Sequence, residues 1–343
     1  MIMKENREST KELISRYMSW DAIKGIIILL MVVGHSGCPD YLRKFIYLFH
    51  MGLFYYASGH FFKTNGFSGV MLFLKKKVLG LYLPFVIWGS IFVLLHNVFF
   101  SLGWYTDIYS VSYTVRKLAM TVLFRDVENL LAPLWFLQSL FKGLILTYIV
   151  CLVPKKWLQW GCVILFYLIG WICYEKGVHL FYSMNRDMGI VIAIFLGYKL
   201  RNCSFLQNKW YFWISIALLL FASFWVRIDL VGGCLGQLGM LPVLTLAGFI
   251  FIRKIISVCQ LKIGFLYRLF IFMGRNSLNI LIFHFTGFHL LSQLMLCIGI
   301  GNPESLSNLT ILSGINPNVW FIPYTLAGLL LPFIYLKLIT LLR

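Results

Sequence analysis

Carboxylates are what this sequence has least of. Its 343 residues hold 12 Asp and Glu against 30 Lys and Arg, and only 12% of the chain is charged. A soluble domain carries about 25% charge, so a water-exposed globular body is excluded. No Asp or Glu falls in the middle of an apolar tract, where proton- and sodium-coupled transporters commonly need one. The eight cysteines include no Cys-x-x-Cys pair and read as small packing residues rather than redox or metal groups. No His-x-x-x-His pair and no glycine-rich phosphate loop occurs, which disfavours metal hydrolysis and nucleotide-driven pumping. Internal repeats and low-complexity tracts are missing too. No small-residue cleavage site follows the first apolar tract, so that tract reads as an uncleaved signal anchor.

Apolar residues take the space that charge leaves. They make up 60% of the chain, and mean hydropathy is +0.83. A helical span needs roughly 20 apolar residues. Such tracts occur at about 20–37, 45–62, 78–100, 132–153, 157–174, 188–200, 211–226, 235–252, 277–297 and 318–341. The fold expected is all-α: a polytopic membrane protein of about ten transmembrane helices around a central polar cavity. A single domain, 1–343, is the simplest division, with 1–19 as a cytoplasmic N-terminal segment. Between spans, residues 101–131 contain an amphipathic stretch, Tyr113 to Phe124, and 298–317 is irregular.

The net charge of +18 is topological. With the N-terminus inside, inner segments carry nineteen bases and four acids, whereas outer segments carry eight of each. That is the positive-inside bias of a plasma or inner membrane protein. The partner it implies is a lipid bilayer, and nucleic acid is not required.

Two tracts carry the chemistry. One runs from Trp20-Asp21-Ala22-Ile23-Lys24-Gly25 to Gly34-His35, the other from Phe49-His50-Met51 to Ser58-Gly59. Ionisable groups in apolar spans are expensive and usually functional. Lys24 and His35 are eleven positions apart, and eleven steps of about 100° return to one helix face about 16 Å higher. Asp21, one turn below Lys24, shares that face. His35 and His50 fall on neighbouring antiparallel helices, and a neutral imidazole suits a general base. The bland readings stay open: Lys24 snorkels to headgroups and His35 marks the interface. Lys142, mid-span and one turn from Gln138, is a polar-site candidate or a lysine paired with a helix carbonyl.

These residues resemble acyltransferase family 3, the integral-membrane O-acyltransferases that include fucose 4-O-acetylase-like enzymes. Lys24 to His35 is similar to the family's basic residue, ten-residue spacer and histidine. Phe49-His50-Met51 with Ser58-Gly59 resembles its second-helix signature. Lys75-Lys76-Lys77 ahead of Leu83-Pro84-Phe85, Leu134-Trp135-Phe136-Leu137, and Gly274-Arg275-Asn276-Ser277-Leu278 through His284 resemble later landmarks. Lys24 stands where arginine is usual, and Gly80 where a second basic residue is common.

The resemblance implies transfer of an acyl group, most simply acetyl, from cytosolic acyl-CoA to a sugar hydroxyl of a cell-surface or lipid-linked glycan. Acyl-CoA is then a donor substrate, with no tightly bound cofactor and no metal. His35 is implied as the base, with His50 orienting the base or the acceptor. Asp21 joins the two histidines as a catalytic candidate, and Lys24 is a donor-binding one, polarising the donor or steadying Asp21. Lys75, Lys76 and Lys77 would hold coenzyme phosphates, unless they serve orientation alone. Trp135, Lys142 and His284 are the substrate-side candidates. Ser58 is a conceivable acyl carrier, though a Ser-Gly step reads better as packing. A sugar exporter without acyl transfer, or a membrane anchor or sensor that binds without turnover, is the competing class.

Overall fold

The computed structural model describes residues 2–201, 203 and 208–341, with side chains over 18–335 apart from 202, 204–207 and 209. The helix elements among these residues are α1 (Ile2–His35), α2 (Asp40–Tyr47), α3 (His50–His60), α4 (Val70–Lys77), α5 (Leu83–Ser101), α6 (Val111–Val122), α7 (Trp135–Leu152) and α8 (Lys156–Glu175). Then come α9 (Met184–Gly189), α10 (Val191–Lys199), α11 (Lys209–Trp225), α12 (Met240–Lys262), α13 (Gly264–Arg275), α14 (Ser277–Cys297) and α15 (Pro317–Leu341). No strand occurs among the described residues, so the all-α class holds.

Among the described residues seven helices are long and apolar enough to cross a membrane, against the ten expected. The difference lies in short helices, two of them interior. The tract at 45–62 is α3, eleven residues long; that at 188–200 is mostly the nine-residue α10; that at 211–226 is the short apolar helix Trp210–Trp225. α3 and α10 lie face to face inside the bundle through Gly59 and Gly197. A Cβ on either glycine would collide with the partner's backbone, at Ile194 O and Tyr56 O respectively. A helix covered by protein on all sides is as apolar as a lipid-facing one, so hydropathy alone cannot separate them.

α1 is the central strut, packed on α3, α13, α14 and α15. It does not stop at residue 19; the helix is continuous from Ile2. Its rotation is fixed midway by Trp20, whose ring stacks on His60 at 4.1 Å and Phe249 at 5.5 Å. It crosses α13 where Gly25 faces Phe270 O and Gly274 faces Asp21 O, each too close for any side chain. Small residues at such crossings let backbones approach where burial from water supplies no drive between helices. At its far end the chain turns through Gly37, whose φ of 72° favours glycine. Ser36 Oγ donates to Val33 O at 2.8 Å and Ser313 Oγ to Ser36 O at 2.9 Å, pinning the turn that follows His35.

Two local irregularities shape the centre. Between α4 and α5 the chain makes a π-turn, Val78–Tyr82. Pro84, in the first turn of α5, has no N–H for the carbonyl four residues back at Gly80, which favours the wider turn. The loop between α11 and α12 folds inward, burying Ile228, Leu230 and Leu235. It closes on itself through reciprocal backbone bonds between Asp229 and Cys234. The span expected from 235 therefore begins at Met240. The amphipathic stretch expected at 113–124 is α6, capped by Ser110 accepting from Tyr113 N at 3.3 Å.

A candidate active site at a paired histidine

A cavity of about 250 Å³ runs through the bundle beside α1. Lys24, Ile28, Met31 and His35 form one wall, at the i, i+4, i+7, i+11 spacing of a single helix face. Opposite stand Phe54, Ser58 and Trp135, and the π-turn contributes Gly80 and Leu81.

At the lysine end, Lys24 Nζ lies 2.8 Å from Asp21 Oδ1, and Arg275 Nε lies 3.1 Å from Asp21 Oδ2. Asp21 is thus held between two cations, and the charge of the trio is positive. Asp21 is one turn from Lys24 and about 21 Å of helix rise from His35, so the three candidates on this face occupy two separate ends. Ser277, at the start of α14, also lines the cavity. Lys75 and Lys76 are exposed, and Lys77 sits 5.4 Å over the Phe73 ring. None of the three lysines lines the cavity, but Gly80, three residues after Lys77, does.

At the histidine end, His35 Nδ1 lies 3.1 Å from Nε2 of His284. His284 is fully buried, and its Nδ1 faces the carbonyl oxygens of Ile280 at 2.9 Å and Leu281 at 3.1 Å. A nitrogen facing two acceptors carries the proton, so in neutral His284 Nε2 is the acceptor. It follows that His35 Nδ1–H donates to it, and the lone pair of His35 is left on Nε2. That nitrogen has no hydrogen-bond partner among the described residues. His50 repeats the arrangement: its Nδ1 faces Ile46 O at 2.9 Å, leaving its Nε2 lone pair unengaged. Both rings line one cavity. The closest ring partner of His35 is therefore on α14, and the expected neighbour His50 shares the space rather than the bond.

The remaining candidates divide. Trp135 is in the wall, with the Arg186 guanidinium 4.8 Å over its ring. Ser58 lines the space, but its Oγ donates to Phe54 O at 2.8 Å, the back-bond of a packing serine. Lys142 is outside the lining. Its ammonium pairs with Asp187 and donates to Tyr182 O. Asp187, fully buried, also accepts from Ser139 Oγ at 2.6 Å and Arg186 Nε at 3.1 Å. Among the described residues no three His, Cys, Asp or Glu side chains converge as metal ligands.

A family model described as an acyltransferase domain matches residues 18–337, nearly all of the structure just set out. The chain belongs to acyltransferase family 3. Searches of curated proteins and of solved structures return no match. As a multi-pass membrane acyltransferase, it has one face of α1 and the paired imidazole inside the matched region.

Three parts of this site escape a sequence reading. Tyr47, Ile228 and Asp229 line the cavity at its histidine end, yet they come from a short helix and a loop with no motif. Arg186 and Asp187 read as outer-loop charges, but 4% and 0% exposure put them in the core. The partner of His35 is 249 residues away, and only tertiary structure pairs them.

Proposed function

We propose that this acyltransferase moves an acetyl or other short acyl group from acyl-CoA to a hydroxyl of a cell-surface or lipid-linked glycan. The observation that carries the reading is the free Nε2 lone pair of His35, held in a cavity whose other end is positively charged. Lys24 and Arg275 offer cations to the coenzyme's phosphates, with Lys75, Lys76 and Lys77, outside the cavity lining, as further candidates. The distance from Lys24 to His35, about 16 Å along the helix, suits an extended pantetheine arm laid against the aliphatic wall. The thioester then arrives beside His35.

The acceptor hydroxyl gives its proton to Nε2 of His35 as its oxygen attacks the thioester carbonyl. The new C–O bond forms, the C–S bond breaks, and the imidazolium returns the proton to the departing sulfur as CoA thiol. His284 is a positioning residue: it accepts from Nδ1, fixes the tautomer and steadies the transient positive charge, the part a carboxylate plays in other triads. His50 offers a second acceptor to the incoming hydroxyl. Asp21 holds Lys24 in place. The membrane expected is the plasma or inner membrane, with the N-terminus cytoplasmic.

The test is O-acetyl esters measured on glycans of cells expressing the chain. His35→Ala should lower ester formation about 10²- to 10⁴-fold, with equal protein in the membrane. Parent-like acetylation by that variant would sink the assignment, and glycan export with no ester formed by the parent would favour the exporter reading.

A further inference from the structure

Beside the histidine end lies a second basin of about 510 Å³. Its walls are Arg43, Lys44 and Tyr47 of α2 and the segment from Ser223 to Asp229. Tyr47, Ile228 and Asp229 line both spaces, so basin and cavity share one partition. Tyr47 reaches closest to the imidazoles. Its ring packs against bare Gly34, where a Cβ would stand 2.8 Å from Cε1, and its centroid is 4.9 Å from that of His50.

The two spaces differ in chemistry. The cavity's histidine end is apolar wall and imidazole, with Tyr47 and Asp229 at the partition and no cation in its lining. The basin carries three cations, Arg43, Lys44 and Arg227, and one carboxylate, Asp229. Arg43 is paired with Asp40 at 2.6 Å, whereas Arg227 approaches Asp229 only at 3.9 Å with its side chain 85% exposed. Lys44 has no ion-pair partner among the described residues. Guanidinium forks match carboxylate and phosphate oxygens. The ring faces of Tyr47 and Trp225, which also line the basin, suit the apolar C–H faces of a pyranose. Basic fork, aromatic plate and an adjoining proton acceptor form a graded path.

We infer that this basin seats the acceptor and selects a saccharide bearing carboxylate or phosphate groups. Arg43, Lys44 and Arg227 hold the anion while Tyr47 leads a neighbouring hydroxyl across the partition to His35. The word acceptor rests on the acyl-transfer reading; the anion seat rests on binding alone.

The full chain in phosphatidylcholine nanodiscs provides the test, with dissociation constants for a trigalacturonate, its carboxyl-reduced neutral counterpart and a hexose phosphate. An anionic sugar should bind at least about tenfold tighter than the neutral one. That preference should shrink between about 50 and about 500 mM NaCl, because the cations are solvent-exposed. It should vanish in the Lys44→Glu/Arg227→Glu double variant, with the thermal unfolding transition unmoved. Whichever anion binds tighter names the group recognised. Equal constants for charged and neutral sugars overturn the inference, as does a preference that survives both charge reversals. Loss of saccharide binding in phosphatidylglycerol nanodiscs would reassign the basin to lipid headgroups and overturn it as well. Transfer is scored separately. Acylation of neutral and anionic sugars alike removes the selectivity and leaves acyl transfer standing. Anion-selective binding with no transfer to any sugar supports the seat and breaks the acyl-transfer reading.

Discussion

Two buried polar clusters in this bundle are built from similar parts and end in opposite conditions. Around Asp187, the cations Lys142 and Arg186 and the Ser139 hydroxyl converge on one carboxylate, and Lys142 also reaches a carbonyl. That cluster turns its charges on one another and ties α7 to α9, although Nη2 of Arg186 stays buried without a hydrogen-bond partner among the described residues. Around His35, a similar chain of bonds runs from two carbonyls through His284 to Nδ1 and there leaves one nitrogen open to a cavity. Polarity inside a membrane protein therefore does not mark a reaction centre by itself. The mark is a proton-accepting group whose partners leave one valence free and facing a cavity.

Breaking the open cluster should have the largest effect. Beyond loss at His35 itself, His284→Leu should cut kcat about 10- to 100-fold with KM little changed, because the base loses its orientation. His284→Gln keeps an acceptor oxygen near the place of Nε2 and should restore much of that loss. Steady-state acyl transfer to a glycan measures both, and a His284→Gln variant as poor as His284→Leu would mean that the ring serves packing alone.

The closed cluster should respond in stability. Lys142→Met leaves Asp187 buried with one cation fewer, and removing one partner of a buried pair costs about 3–5 kcal/mol. The unfolding temperature in detergent should fall well below that of the parent. No fall would mean the pair is not the tie it looks like.

The shared strut comes next. Gly25→Val places a side chain against Phe270 O, where no space exists. Overpacking of this kind costs about 1–3 kcal/mol, read as a lower unfolding temperature and poorer membrane yield. Gly80→Ala, where a Cβ meets nothing, is the matched control and should unfold like the parent.

The smallest effect is at the rim. Burial pushes the Cys38 thiol, in the turn after His35, up from 9.0 to about 11. The stability lent by burying the neutral thiol is complete below about pH 9 and is lost as pH climbs towards about 11. At neutral pH iodoacetamide should label exposed Cys297 first and leave buried Cys38 last. Early labelling of Cys38 would show that the turn beside the base opens in solution.

The helical class and the stripe from Lys24 to His35 were legible because both are periodic along one helix, and periodicity survives in sequence. Trp135 was found through its neighbours in a landmark and does line the cavity. The count of spans was not legible: α3 and α10 are short interior helices, and nothing in their composition says that protein rather than lipid covers them. Lys142 could be read as a polar-site candidate or a carbonyl-paired lysine, but its carboxylate partner was not legible, because Asp187 sits in a segment that reads as a loop. The His35–His284 bond and the partition at Tyr47 and Asp229 join residues far apart in the chain. Such contacts are products of closure, and without aligned relatives a single sequence has no local signal for them.

The loop that roofs the histidine end belongs to no transmembrane helix and pinches its own middle together at Asp229 and Cys234. Its buried anchors Ile228, Leu230 and Leu235 hold it in place, while exposed Arg227 and Val231 can change without disturbing the crossing of α1 and α13 or the imidazole pair beneath. A chain so organised can acquire new clientele by rewriting one doorway, while the machinery behind it is inherited intact.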